Sequence, residues 1–163
     1  MTRRLSPPPL PQGRPWTDWL GLTARVLVGA TLAFSGAAKA SAPAQEFAAA
    51  IEAYALLPQA LVPPLATLLP WAEVLAGFAL VFGWLTRWSA AAGLALFSAF
   101  ITALLSTFSR GFELADCGCF GFGLHLAPGQ TIFLDAALAG CCLWLLLRPR
   151  TPLSLDSWIT EGS

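Results

Sequence analysis

Apolar residues in this chain gather into four long, unbroken stretches separated by polar or proline-containing breaks. The first runs from about Leu20 to Ala38, the second covers Val62 to Phe82, the third Ser89 to Phe108 and the fourth Thr131 to Leu147. Each is close to the roughly 20 residues that a helix needs to span the hydrocarbon of a bilayer, and the fourth, at about 17, is the shortest. None alternates with period two, so barrel strands are excluded. The pattern predicts an all-α integral membrane protein, a bundle of four transmembrane helices occupying residues 19–148. Residues 1–18 and 149–163 are expected to be cytoplasmic tails, the first of them disordered.

The breaks between the runs differ. After Ser41-Ala42-Pro43, the residues Phe47, Ile51 and Tyr54 recur at helical spacing, with Glu46 and Glu52 on the other side. That spacing predicts a short amphipathic helix lying at the membrane surface between helices one and two, ended by Leu57-Pro58. Trp84-Leu85-Thr86-Arg87-Trp88 reads as a tight turn between helices two and three, its tryptophans suited to the interface. The connection from Ser109 to Gln130 is the longest. Glycine and alanine crowd all four runs, as in Gly29-Ala30, Gly36-Ala37-Ala38 and Ala76-Gly77, which allows close helix packing in lipid. Pro70 falls inside helix two and frees a backbone carbonyl there.

Composition sharpens this picture. Only 11% of the 163 residues are charged and the mean hydropathy is +0.67, whereas soluble domains carry roughly 25% charged residues. So few charges cannot cover a water-facing surface. The formal net charge is zero, which gives no reason to expect a nucleic-acid partner. The bilayer itself is the expected partner.

Charge placement gives the expected orientation. Arg3, Arg4 and Arg14 precede helix one, Arg87 lies between helices two and three, and Arg148 and Arg150 follow helix four. The opposite side has Lys39 and Arg110, accompanied by Glu46, Glu52, Glu113 and Asp116. The positive-inside rule then puts both termini in the cytoplasm and the loop with Cys117 and Cys119 outside. An Arg-Arg pair before an apolar run also suits a signal peptide, but the run is too long for one and Arg25 interrupts it.

The sharpest chemical feature is Asp116-Cys117-Gly118-Cys119-Phe120-Gly121. Two cysteines flanking one glycine, on a loop expected to face outward, lie where disulfides form and persist. Strain in so small a ring makes the bond easily reduced, which suits a catalytic pair. A static local disulfide and two inert buried thiols are the blander alternatives. One histidine, His125, and two thiols fall short of a structural zinc set, so no metal is expected. Cys141 and Cys142, in mid-helix four, read as packing residues, with electron transfer through the bundle as the alternative.

Four ionisable residues lie in or at the ends of the runs: Arg25, Lys39, Glu73 and Asp135. Depths from a 1.5 Å rise put Arg25 about 8 Å from the inner end of helix one, Glu73 near mid-membrane and Asp135 about 6 Å from the outer end of helix four. Arg25 with Glu73, and Lys39 with Asp135, are the pairs this suggests. Structural pairing, proton relay and binding of a quinone-like head group are all open to such residues.

In these residues the sequence resembles the methylamine utilisation protein MauE family, within the broader DoxX-like membrane proteins. The likeness runs from about Arg25 to Leu147. It rests on Arg25, Ser35-Gly36-Ala37-Ala38-Lys39, Pro43, Phe47, Tyr54-Ala55-Leu56-Leu57-Pro58, Pro70-Trp71-Ala72-Glu73, Gly77 and the Asp116–Gly121 segment. The resemblance implies a four-helix bundle in the bacterial inner membrane, linked to periplasmic thiol–disulfide chemistry. It matches Cys117 and Cys119 to a redox pair, and Arg25, Lys39 and Glu73 to membrane-embedded polar positions. Its named member is implicated in maturing the disulfide-rich small subunit of methylamine dehydrogenase. Leu126-Ala127-Pro128-Gly129-Gln130 departs from the pattern in lacking a basic residue before helix four, and the proline-rich tail lies outside the likeness.

The expected function is a membrane thiol–disulfide oxidoreductase or electron relay acting on a periplasmic protein. Electrons would pass to or from a membrane quinone, or to a cytoplasmic donor through the bundle. The rival readings are a non-catalytic assembly factor or anchor for an exported enzyme, and a small-solute transporter, which leaves Cys-Gly-Cys unexplained.

Overall fold

The computed structural model describes residues 15–110 and 128–147, which form five α-helices. They are α1 (Pro15–Ser41), α2 (Ala44–Ala53), α3 (Val62–Phe82), α4 (Thr86–Ser109) and α5 (Pro128–Leu147), with a single 3₁₀ turn, Gln59–Leu61, leading into α3. Four of them, α1, α3, α4 and α5, are long and apolar enough to cross a membrane. Helix α3 coincides with its apolar run, whereas α1, α4 and α5 start earlier, at Pro15, Thr86 and Pro128. Apolar runs mark the hydrocarbon layer, and a helix can continue into the headgroup zone where polar side chains are hydrated.

The turn between α3 and α4 is set by local chemistry. Gly83 takes the left-handed conformation (φ 68°), and the amide of Trp84 reaches back to the carbonyl of Ala79 at 2.9 Å, closing the end of α3. Trp16, Trp19, Trp84 and Trp88 are all exposed at this end of the bundle, a position suited to the membrane–water interface. At the opposite end lie Ser41, the start of α3, Ser109 and the start of α5.

Helix α1 packs mainly on α3 and α4 on α5, with α1–α5 and α3–α4 contacts closing the bundle. Buried positions recur every three or four residues: Arg25, Val28, Leu32, Ser35 and Lys39 on α1, and Thr131, Asp135, Leu138, Cys142 and Leu145 on α5. A 3.5-residue repeat of this kind is the seam of a left-handed bundle. Large apolar side chains such as Leu27, Phe34, Leu75, Phe78 and Phe133 point outward instead. Large apolar side chains on the outside, with the charged residues Arg25, Lys39, Glu73 and Asp135 among those buried, suit lipid as a solvent.

Glycines bring α1 and α3 into backbone contact. A β-carbon on Gly77 would lie 2.5 Å from the amide nitrogen of Ala33, and one on Gly36 would lie 2.6 Å from the carbonyl oxygen of Pro70. No side chain fits at either place. Pro70 itself is buried within α3, where it leaves the carbonyl four residues earlier without its usual helical donor.

The amphipathic segment forms α2, which packs against α3 with Phe47, Ile51 and Tyr54 half-buried and Glu46 and Glu52 exposed. It ends at Ala53, earlier than Leu57-Pro58, because the chain turns at Ala55 (φ 49°). Arg110, just after α4, donates to the carbonyl of Tyr54 at 2.6 Å and ties this turn to α4.

Candidate functional site

Ser35 and Lys39 of α1, Glu73 of α3 and Asp135 of α5 are buried toward the Ser41 end of the bundle. Their meeting follows from the helix register. Gly36 seats α1 against Pro70, Glu73 and Val74, and the Lys39 side chain leans back toward its own helix N-terminus, about one turn, onto Glu73. The ammonium donates to both carboxylate oxygens, at 2.7 and 3.0 Å. Ser35, one turn before Lys39, adds a hydroxyl donor to the same carboxylate.

This differs from the pairing expected from depth. In the α1–α3 register set by the glycines, Arg25 lies level with the end of α3, roughly 16 Å along the axis from Glu73. Depth measured within each apolar run separately could not show that offset. Lys39, expected opposite Asp135, instead makes its direct ion pair with Glu73. Asp135 completes the cluster as a buried carboxyl within electrostatic reach of both, and its Oδ2 has no hydrogen-bond partner among the described residues.

Two aromatic rings close over the pair. The Lys39 ammonium lies 4.5 Å from the ring centroid of Phe100 and 5.4 Å from that of Phe47, within cation–π range. Sequence reasoning missed both roles. Phe47 was legible as part of an apolar face, while Phe100 sits in a uniformly apolar run where nothing distinguishes one phenylalanine from another. The site therefore offers a fixed ammonium, two buried carboxyl groups and an apolar aromatic cover. Such a set can hold a polar head group or carry a proton, and it excludes bulk water.

Cys117 and Cys119 lie outside the described residues, as do His125, Glu113 and Asp116. Cys142 is fully buried, its sulfur 3.1 Å from where a Gly93 β-carbon would stand, and Cys141 packs half-buried beside the core. Both are free thiols.

The fold and this interior define a multi-pass membrane protein built around a buried ion pair. Its sequence matches the family described as Methylamine utilisation protein MauE over residues 17–148. The Methylamine utilization protein MauE of Methylophilus methylotrophus is 35% identical over 119 residues, covering 71% of this chain and 63% of that protein. The chain belongs to the MauE family. It thus spans under two thirds of that relative's length. No solved structure matches it.

Proposed function

We propose that this protein is a membrane thiol–disulfide oxidoreductase that supports disulfide formation in an exported protein, with Cys117 and Cys119 as the exchanging pair. The observation that carries the reading is Cys117-Gly118-Cys119 in the connection between α4 and α5. That connection leaves and re-enters the bundle at the end where Lys39, Glu73 and Asp135 cluster. The relative's name links it to methylamine utilization, and the corresponding client here is an exported disulfide protein of that pathway or a similar one.

In the oxidising direction a client thiolate attacks one sulfur of the Cys117–Cys119 disulfide and forms a mixed disulfide. A second client thiolate then displaces that sulfur, leaving the client oxidised and the pair reduced by two electrons. The bundle holds the loop at the membrane, where an electron acceptor can restore the disulfide. The arginine distribution supports an external loop, the compartment in which such a client would fold.

Alkylation trapping in cells tests the reading. Cys117 and Cys119 are expected as a mixture of thiol and disulfide that shifts toward thiol when respiration is inhibited. Cys117→Ser and Cys119→Ser, at normal levels in the membrane, should each abolish client maturation, and one of them should accumulate a mixed disulfide. Full maturation with either variant would sink the reading and leave a non-catalytic assembly factor.

A further inference from the structure

Around Lys39 the interior of the bundle gathers one ammonium and two carboxyl groups, contributed by α1, α3 and α5. We propose that Asp135 is a proton-binding site: its carboxyl is the neutral acid in the resting protein and exchanges its proton with water at the Ser41 end of the bundle. The site is independent of the thiol chemistry proposed above.

Charge balance comes first. Lys39 is committed to Glu73, donating to both of its oxygens at 2.7 and 3.0 Å, and the rings of Phe100 and Phe47 cover the ammonium. That pair is neutral as a unit. An ionised Asp135 would add an uncompensated negative charge to the same interior. The other buried cation among the described residues, Arg25, lies roughly 16 Å along the axis from Glu73. A proton on Asp135 removes the excess charge, as is usual for a buried carboxyl that lacks a cation of its own.

The surroundings of the carboxyl agree. Asp135 is 2% exposed, and its Oδ2 has no hydrogen-bond partner among the described residues. A carboxylate oxygen so placed lacks the donors that hold a buried charge, whereas a neutral acid demands less of its surroundings. Lys39 of α1 acts on it in favour of the ionised form and Glu73 of α3 against it, and these opposed neighbours keep the proton exchangeable. Helix α4 carries only Arg87, in its first turn at the far end, while Glu46 and Glu52 of α2 are exposed and the Tyr54 ring packs against Leu104. On α5 itself the thiols of Cys141 and Cys142 lie about two turns further in.

Depth supplies the route. Asp135 follows Pro128 by seven residues, which puts it roughly 10 Å from the Ser41 end. Thr131 is buried one turn nearer that end on the same face of α5, and Thr107 is buried in the last turn of α4. A hydroxyl both donates and accepts hydrogen bonds, so such side chains can pass a proton along. Release breaks the O–H bond of Asp135, hands the proton to water and leaves a carboxylate beside the Lys39–Glu73 pair. Uptake is the reverse, and no electron moves.

The test is infrared spectroscopy of the full chain in phospholipid nanodiscs, with its aspartate carboxyl groups labelled with heavy carbon. The label separates their bands from those of glutamate and lipid. A carboxylic-acid C=O band that carries the isotope shift is expected at neutral pH. It should move in deuterated buffer, fade as the pH is raised, and be absent from Asp135→Asn. That variant resembles the neutral acid and should keep the parent's helix content by circular dichroism. Should it not fold, Asp135→Glu takes its place, because it moves the acid out of the labelled set and the isotope-shifted band should vanish. A parent without a labelled acid band at neutral pH, or a band that persists in a folded variant, overturns the site. A band that neither moves in deuterated buffer nor fades in alkaline buffer overturns the exchange, and the proposal with it.

Discussion

Lys39 and Glu73, 34 residues apart in sequence, form a two-pronged ion pair between α1 and α3 with side chains only 2% and 1% exposed. A charge placed in hydrocarbon costs at least about 2.5 kcal/mol, so each of these residues is tolerable there only with the other. Breaking such a pair leaves an uncompensated charge, whereas removing both members does not.

Glu73→Gln should therefore lower stability by about 3 kcal/mol, while Glu46→Gln, on the exposed side of α2, should change it by less than about 0.5 kcal/mol. The double variant Lys39→Met/Glu73→Met should recover most of the loss. Thermal unfolding of detergent-purified protein, followed by circular dichroism, measures all three. Equal tolerance of Glu73→Gln and Glu46→Gln would show that the pair contributes nothing to the fold.

Gly36 sets the register that makes the pair possible. A β-carbon there would meet the Pro70 carbonyl at 2.6 Å and the Glu73 Cβ at 2.8 Å, contacts with backbone and with the ion-pair residue itself. Gly36→Ala should cost about 1–3 kcal/mol and push α1 away from α3. Gly140→Ala is the control, since nothing lies within 4 Å of its added carbon. A disulfide-scanning pair across α1 and α3 near Gly36 should cross-link in the parent and less readily in Gly36→Ala.

The sequence made the four spans plain because lipid requires each to be a continuous apolar run, and α2 was legible from the spacing of Phe47, Ile51 and Tyr54 against Glu46 and Glu52. It also showed which charges had to be buried. It did not show their partners, because pairing depends on how far α1 slides along α3. That offset is fixed by Gly29, Gly36, Gly77 and Pro70 acting together, and no single run carries it. The apolar cavity walled by Phe47, Leu69 and Phe100 was hidden for a related reason: it arises where α2 bridges two spans, and its lining comes from three helices and the turn after α2.

Cys142 separates packing from electron transfer through the bundle. It is fully buried against Gly93 in the core that includes Leu32 and Leu80. Cys142→Ala should cost about 1 kcal/mol for the small cavity it leaves. Client maturation should persist, because the proposed exchange uses only Cys117 and Cys119. Loss of maturation in a stable Cys142→Ala protein would place that thiol on the electron path.

Orientation is the prediction on which the external chemistry depends. Arg87 lies at the end of the bundle where Trp84 and Trp88 are exposed, and in the sequence Arg3, Arg4 and Arg14 precede α1 and Arg148 and Arg150 follow α5. At the other end Lys39 is buried in its ion pair with Glu73, inside the bundle. Arg110, after α4, is the exposed cation at that end among the described residues. This asymmetry of lysines and arginines predicts that both termini are cytoplasmic. A reporter active only in the periplasm should be silent when fused after Ser163 and active when inserted between Pro43 and Ala44. Adding two arginines beside Glu46 should weaken that preference and give a mixed population. A periplasmic C-terminus in the unmodified chain would move the cysteine-bearing connection into the reducing cytoplasm and remove the basis for an exported client.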